Sequence, residues 1–236
     1  IRKILEGIPT KRQNLLFSAT FPEKVERLSA EFLEYPTRVE VSPQATTSQM
    51  VDQVLFRVPN FRTKVFLLEH LLRQNEDFNR VMVFTRTKET ANNIYKFLER
   101  KVIPEEKIRV IHANKGQNTR INAMNDFKNG DISVLVTTDV TSRGIDVSEV
   151  SHVINFDVPL IYEDYVHRIG RTGRANSRGQ AITFMTMADE YHIKKIEALI
   201  RMEIPGQDLP DITIAPTSFE EKQVMLREID NQRRRE

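Results

Sequence analysis

Apolar runs that alternate with helical patterns are the feature of this chain that most restricts its fold. Strand-like runs follow one another from Val51 onward: VDQVLFRV, RVMVFT, KIRVIHA, ISVLVTT, HVINFD and QAITFM. Helical patterns cover residues 63–74, 89–100, 119–129, 162–169 and 190–201. This alternation is typical of βαβ units, so the sequence predicts an α/β fold with a largely parallel sheet and helices on both faces.

Polar residues follow several of these predicted strands at the point where each strand ends. They are Thr85 to Thr87, His112 to Gln117, and Thr137 to Asp146. Because ligands of parallel α/β sheets bind beyond the carboxyl ends of the strands, we expect the binding residues of this chain to lie there.

The polar segment SPQATTSQM, residues 42–50, divides the chain. Before it, residues 14–17 are predicted to form a short buried strand, Pro22 to open a helix, and residues 37–41 to be extended. We therefore predict a strand-helix-strand piece over 1–41, a linker over 42–50 and a full domain over 51–204. Residues 205–236 form a proline-containing extension with a charged, helical tail from Leu226.

Composition excludes several classes of protein. The 236 residues are 39% hydrophobic and 29% charged, which is typical of a globular chain, and no apolar run approaches the roughly 20 residues that span a bilayer. The absence of cysteine excludes disulfides and thiolate metal sites, and the five histidines lack zinc-site spacing. We expect no metal site, no membrane contact and a cytoplasmic location. The first ten residues are too polar for a secretory signal, and we expect the chain to start within a longer protein.

The string HRIGRTGR, His167 to Arg174, carries three arginines and two glycines at a helix-to-loop boundary. Arginine presents a planar fork that suits phosphate, so Arg171 and Arg174 are candidates for stabilising charge on a transferring phosphoryl group. A surface loop with solvated arginines is the alternative, and the full eight-residue string argues against it.

Two further strings suggest phosphate or nucleic-acid contacts. The first is TTDVTSRGIDV, residues 137–147, in which hydroxyl and backbone N–H groups could bind phosphate oxygens and Asp146 could accept hydrogen bonds from a ribose. A simple Gly-Asp turn explains the same pattern equally well. In HANKGQNTR, residues 112–120, Gln117 and Arg120 share one face of a predicted helix start. In isolation, Gln117 and Arg120 are more typical of a solvated helix end. His112 alone is more typical of a packed residue at the end of a strand.

The short string Ser18-Ala19-Thr20 by itself suggests only a helix N-cap before Pro22. Together with four other strings, however, it forms an ordered set over residues 14–204 that resembles the DEAD-box family of superfamily 2 helicases. In chain order the set is SAT, FTRT, HxxxxQxxR, TTDVTSRGID and HRIGRTGR. The string IHANKGQNTR is most similar to the bacterial RhlE-like branch of that family.

The resemblance implies a fold and a role for each matching residue. It implies two RecA-like domains around an ATP cleft, with residues 1–41 as the tail of the first and 51–204 as the second, the helicase C-terminal domain. Arg171 and Arg174 would be arginine fingers, and Asp146 and Gly144 would contact the nucleotide. RNA contacts would come from Thr85, Gln117, Arg120 and Thr138, and coupling of the two domains from Ser18, Thr20, Arg143 and His167.

The chain lacks the residues that bind most of the nucleotide. A P-loop needs Gly-Lys followed by Ser or Thr, but no glycine here precedes a lysine, and Asp-Glu-Ala-Asp is absent. We therefore expect ATP with Mg²⁺ to be bound mainly by the first domain, and this chain alone to be inactive. RNA binding should be sequence-tolerant and the protein monomeric. A non-catalytic RNA-binding scaffold of the same fold, or a DNA helicase of the same superfamily, are the alternatives.

Overall fold

The computed structural model describes residues 2–17, 23–39, 51–74, 78–139, 150–173 and 179–234. The chain divides into two compact units, Ile1–Gln44 and Ala45–Glu236. Within the described ranges, no helix has the length and apolar character needed to cross a membrane.

The first unit contains two helices, α1 (Arg2–Glu6) and α2 (Glu23–Ala30), the second of which the sequence predicted. The strand predicted at residues 14–17 was wrong, because this segment pairs with no described strand and Leu15 and Phe17 are 70% and 87% exposed. Residues 37–39 form no strand either, and 40–41 lie outside the described ranges. A strand needs a neighbour for its backbone N–H and C=O groups, and the described part of this unit offers none.

The described strands of the second unit form one parallel sheet in the order β3-β4-β2-β5-β6-β1-β7. The strands are β1 (Val51–Arg57), β2 (Val81–Thr85), β3 (Ile108–Ile111), β4 (Val134–Thr138), β5 (His152–Asn155), β6 (Gly179–Met185) and β7 (Gly206–Gln207). All but the two-residue β7 follow the predicted apolar runs, and the parallel arrangement is confirmed.

Helices cover both faces of the sheet. They are α3 (Phe61–Gln74), α4 (Lys88–Lys101), α5 (Gln117–Asn129), α6 (Tyr162–Ile169), α7 (Glu190–Ile200) and α8 (Phe219–Arg233), with 3₁₀ turns at Glu105–Lys107 and Met187–Asp189. Val81 and Val83 pack into a core with α3 and α4, whereas Met82 and Phe84 pack into a second core with α5, α6 and α7. Successive strand side chains point to opposite faces, so one apolar run serves both cores.

The C-terminal extension lies along the second unit. Its β7 pairs with β1, and the Asn60 side chain donates hydrogen bonds to Ala215 O at 2.7 Å and Thr217 Oγ1 at 3.0 Å. Helix α8 begins earlier than the predicted start at Leu226, because Ser218 and Glu221 form a capping box that satisfies the free N–H groups of its first turn.

Candidate functional site

The polar residues predicted to follow the strands do gather at the carboxyl edge of the sheet. In the register of the sheet Thr85 lies beside Thr138 on adjacent strands, and Ile111 lies beside Thr137. His112 and Asp139 follow these strand ends directly, so three of the strings found in the sequence lie side by side. One edge of the sheet therefore holds Thr85, Thr138 and the start of the HANKGQNTR string, as expected for this fold class.

The side chain of Thr85 makes its hydrogen bonds inside the protein. It is fully buried, and its Oγ1 donates to Thr87 O at 3.1 Å, with Thr137 O at 3.4 Å. The exposed hydroxyl at this strand end belongs to Thr87, which caps α4 by accepting from Thr90 N. Direct RNA contact by Thr85 stays a prediction, and Thr87 is a candidate that the sequence reasoning missed although it stands just before a predicted helix.

Gln117 and Arg120 lie together, as their spacing predicted. Gln117 is the exposed first residue of α5, and Arg120 Nη2 donates a hydrogen bond to Gln117 Oε1. Thr138 is buried at the end of β4. His112 is packed against Asn92, with Nε2 and Oδ1 3.2 Å apart, and burial with the nearby Lys115 lowers the pKa of its imidazole. A neutral, packed His112 agrees with its interpretation as a strand-end residue.

Arg168, the second residue of HRIGRTGR, is the buried centre of the site. Its side chain is 1% exposed, and its Nε and Nη2 donate to the two carboxylate oxygens of Asp139 at 2.6 and 2.9 Å. Nη1 donates to Asn155 Oδ1 and Asp157 O at 3.2 and 2.6 Å, and the guanidinium lies over the Phe84 ring at 5.2 Å. Arg168 thus joins the HRIGRTGR string to TTDVTSRGID, and sequence reasoning had assigned it no role.

The turn that carries Arg171 is anchored on both sides. Arg171 N donates to Arg168 O at 3.1 Å, which continues the end of α6. The next residue, Thr172, is buried and its hydroxyl donates to Val150 O. A Cβ at Gly179 would meet Thr172 Oγ1 at 1.9 Å, so only glycine permits this close approach of β6 to the turn. Arg171 therefore stands on a fixed turn rather than on a loosely held loop.

His167 is partly exposed, with its Nδ1 3.6 Å from Oδ1 of the buried Asp164. Six predicted residues, namely Ser18, Thr20, Arg143, Gly144, Asp146 and Arg174, lie outside the described ranges, and their roles stay predictions.

Comparison with known proteins finds matches along most of the chain. Residues 63–176 match the family model described as Helicase conserved C-terminal domain. ATP-dependent RNA helicase DbpA of Bacillus subtilis is 37% identical over 89% of this chain and 43% of its own length. DEAD-box ATP-dependent RNA helicase CshA of Streptococcus pneumoniae is 38% identical over 98% of this chain and 43% of its own length. The chain thus spans less than half the length of these relatives.

Solved structures of related proteins share the fold. The chain is 33% identical to the Escherichia coli DEAD-box protein SrmB, solved bound to regulator of ribonuclease activity A. That match covers 71% of this chain and 98% of the SrmB chain, with a TM-score of 0.62. Saccharomyces cerevisiae Dbp5, solved with RNA and ADP BeF3, is 26% identical over 96% of this chain and 57% of its own, with a TM-score of 0.78. Bacterial and fungal relatives match at similar identity, so the RhlE-like assignment stays a prediction. The chain belongs to the DEAD-box helicase family and contains its RecA-like helicase C-terminal domain.

Proposed function

We propose that this chain is the C-terminal part of an ATP-dependent RNA helicase. The observation that carries the proposal is the anchored turn of HRIGRTGR, which holds Arg171 at the end of α6 while the buried Arg168 ties the same string to Asp139. A protein that only bound RNA would have no need for an arginine suited to a phosphoryl group on an anchored turn. A non-catalytic RNA-binding scaffold of the same fold is the second candidate.

The proposed ATP site is shared between two domains. ATP and Mg²⁺ would be bound mainly by a first RecA-like domain, since the P-loop sequence is absent from this chain. Arg171 fits a phosphate ligand, because its guanidinium fork is carried on a turn fixed by Thr172. Arg174 would join it at the γ-phosphate, and Asp146 and Gly144 would contact the rest of the nucleotide. Such arginines are worth on the order of 10³ to 10⁵ in rate.

The proposed RNA surface is the carboxyl edge of the sheet. Gln117, Arg120 and Thr138 lie there with the exposed Thr87, and all four offer donors for phosphate or 2′-hydroxyl oxygens. Contacts of this kind carry little base information, so RNA binding should tolerate sequence changes and weaken with salt. The likeness to Dbp5, solved with RNA and ADP BeF3, supports this proposal.

The domain boundaries belong to the same proposal. Residues 1–41 would be the tail of the first RecA-like domain, 42–50 the linker, 51–204 the second domain and 205–236 an extension. Ser18 and Thr20 would then couple hydrolysis to RNA through the first domain, and Arg143 and His167 would face it. We propose that the protein acts as a monomer in the cytoplasm.

The test is ATP hydrolysis by the full-length protein, measured with no nucleic acid, with RNA and with DNA. We expect RNA-stimulated turnover, and a loss of on the order of 10³-fold in Arg171→Ala. Arg100→Ala, which removes an exposed arginine from α4, is the matched control and should retain the parental rate. RNA binding without turnover would support the scaffold, and stimulation by DNA alone would support a DNA helicase.

A further inference from the structure

A buried polar network links strands β1, β5 and β6 to helix α6. Its members are Gln53, Asn155, Tyr165, Arg168 and Thr183, and none of them is more than 5% exposed. Only Arg168 belongs to one of the five strings that resemble the family. Buried polar groups need hydrogen-bond partners, and here side chains from four separate elements supply them to one another.

The hydrogen bonds of the network all run in one direction. Arg168 Nη1 donates to Asn155 Oδ1 at 3.2 Å, and Asn155 Nδ2 donates to Thr183 Oγ1 at 3.1 Å. At the other end, Tyr165 Oη donates to Gln53 Oε1 at 2.7 Å, and a hydrogen bond between Thr183 and Tyr165 joins the two halves. Hydrogen bonds arranged head to tail strengthen one another, and a fully satisfied network of this kind makes its surroundings rigid.

Helix α6 is held by this network at two points, Tyr165 and Arg168. The two residues stand three apart in α6, so their side chains leave the same face of the helix. Burial raises the pKa of the Tyr165 hydroxyl and outweighs the Thr183 hydrogen bond, which lowers it. Tyr165 therefore keeps its proton at neutral pH and remains a donor to Gln53.

The turn that carries Arg171 follows α6 directly. The helix ends at Ile169, and Arg171 N donates to Arg168 O at 3.1 Å. A rotation of α6 about its axis would therefore move Arg171 as well. Apolar contacts tolerate small rotations of a helix, whereas hydrogen bonds that require particular angles hold it in one orientation.

We propose that Gln53 and Tyr165 are positioning residues for Arg171, because their hydrogen bond fixes the rotation of α6 and with it the direction of the Arg171 guanidinium. The proposal rests on the ATP hydrolysis proposed above. Misplacing a catalytic group by about 1 Å costs on the order of 10²-fold in rate. Loss of one of the two points that hold α6 should cost less, about tenfold, because Arg168 keeps its bonds to Asp139.

The test is RNA-stimulated ATP hydrolysis by the full-length protein carrying Tyr165→Phe, which removes only the hydroxyl. We expect kcat to fall about tenfold, while the KM for ATP and the RNA concentration for half-maximal stimulation change less than about twofold. Gln53→Met removes the acceptor of the same hydrogen bond and should lower kcat to the same extent. The double variant should have a kcat no lower than that of either single variant, because all three lack one and the same bond.

Ile94→Val is the matched control for a general loss of stability. Ile94 is 1% exposed and lies in the core on the opposite face of the sheet. Removing its methylene should lower the urea midpoint about as much as Tyr165→Phe does, by about 0.5 M, yet leave kcat at the parental value. Equal losses of kcat in Ile94→Val and Tyr165→Phe would overturn the positioning role.

An Arg171→Ala background shows whether Tyr165 acts through Arg171. Measured in single turnovers, Tyr165→Phe should cause no further loss of rate in that background, and a second tenfold loss would overturn the proposal. Parental kcat in Tyr165→Phe would overturn the proposal alone and leave the proposed function standing. A full-length parent without RNA-stimulated turnover would refute the proposed function and the positioning role together.

Discussion

Replacing Asp139 by asparagine tests the buried ion pair that joins the TTDVTSRGIDV and HRIGRTGR strings. The variant keeps the shape of the side chain but removes the charge that faces Arg168, whose guanidinium is 1% exposed. Breaking a buried pair by removing one partner costs about 3–5 kcal/mol, because the remaining charge is left uncompensated in a low-dielectric site. Asp139 is 23% exposed and Arg168 keeps its bonds to Asn155 and Asp157, so we expect the lower end, about 3 kcal/mol.

Urea unfolding measures this loss. With an m-value of about 2 kcal/mol/M, a loss of about 3 kcal/mol moves the midpoint down by about 1.5 M. Glu89→Gln is the matched control: it makes the same chemical change in an exposed pair with Lys88, whose charged atoms are 3.7 Å apart, and should cost less than about 0.5 kcal/mol.

A second variant distinguishes pairing from general disruption. In Asp139→Asn with Arg168→Met, both charges are gone and an apolar side chain of similar length fills the site. Such replacements are often neutral, so we expect the double variant to recover at least about 2 kcal/mol of the loss. A midpoint for Asp139→Asn within the error of Glu89→Gln would contradict a stabilising ion pair. So would a double variant that loses more stability than the two single variants together.

Three further substitutions test single contacts. Gly179→Ala should cost about 1–3 kcal/mol in urea unfolding, because its Cβ would overlap Thr172 Oγ1. RNA-stimulated ATP hydrolysis by the full-length protein should fall as well, because the turn that carries Arg171 would move. Unchanged activity would show that the turn adapts. Gly130→Ala should cost about 1 kcal/mol from backbone strain alone, since Gly130 has φ of +84° and open space around its Cβ position; an equally stable variant would contradict this. Burial lowers the pKa of His192 from 6.5, so the folded state favours the neutral ring and the protein should lose stability as pH falls below 6.5. In thermal melts, His192→Gln should lose less stability than the parent between pH 6.5 and about pH 5. Equal losses in the two proteins would exclude His192 as the cause.

The amino-acid sequence alone predicts the fold class and the edge of the sheet at which the candidate site lies. Alternating apolar runs and helical patterns encode local structure directly, so β2, β4 and α6 lie where their residues predicted. A parallel sheet collects the residues that follow its strands at one edge, which is why Thr138, Gln117 and Arg120 could be placed there without coordinates.

Tertiary packing, in contrast, determines which polar side chains are exposed and which make hydrogen bonds inside the protein. Thr85 and Thr87 are two residues apart in one string, yet Thr85 is buried at the end of β2 and Thr87 is exposed as the cap of α4. Arg168 and Arg171 are likewise close in sequence, but only Arg168 is enclosed by Asp139, Asn155 and Phe84. Burial is set by neighbours brought from distant parts of the chain, which local patterns do not specify.

The same reason explains the strand that did not form and a largely buried ion-pair cluster, made of Lys64, Arg86, Asp157 and Asp189, that no sequence pattern predicted. Residues 14–17 have a strand-like composition, but a strand requires a partner that the described part of the first unit does not supply. Lys64, Asp157 and Asp189 meet across separate elements, so no spacing in the sequence links them to Arg86. Local periodicity determined the elements of this protein, and long-range packing decided the charges that they bring together.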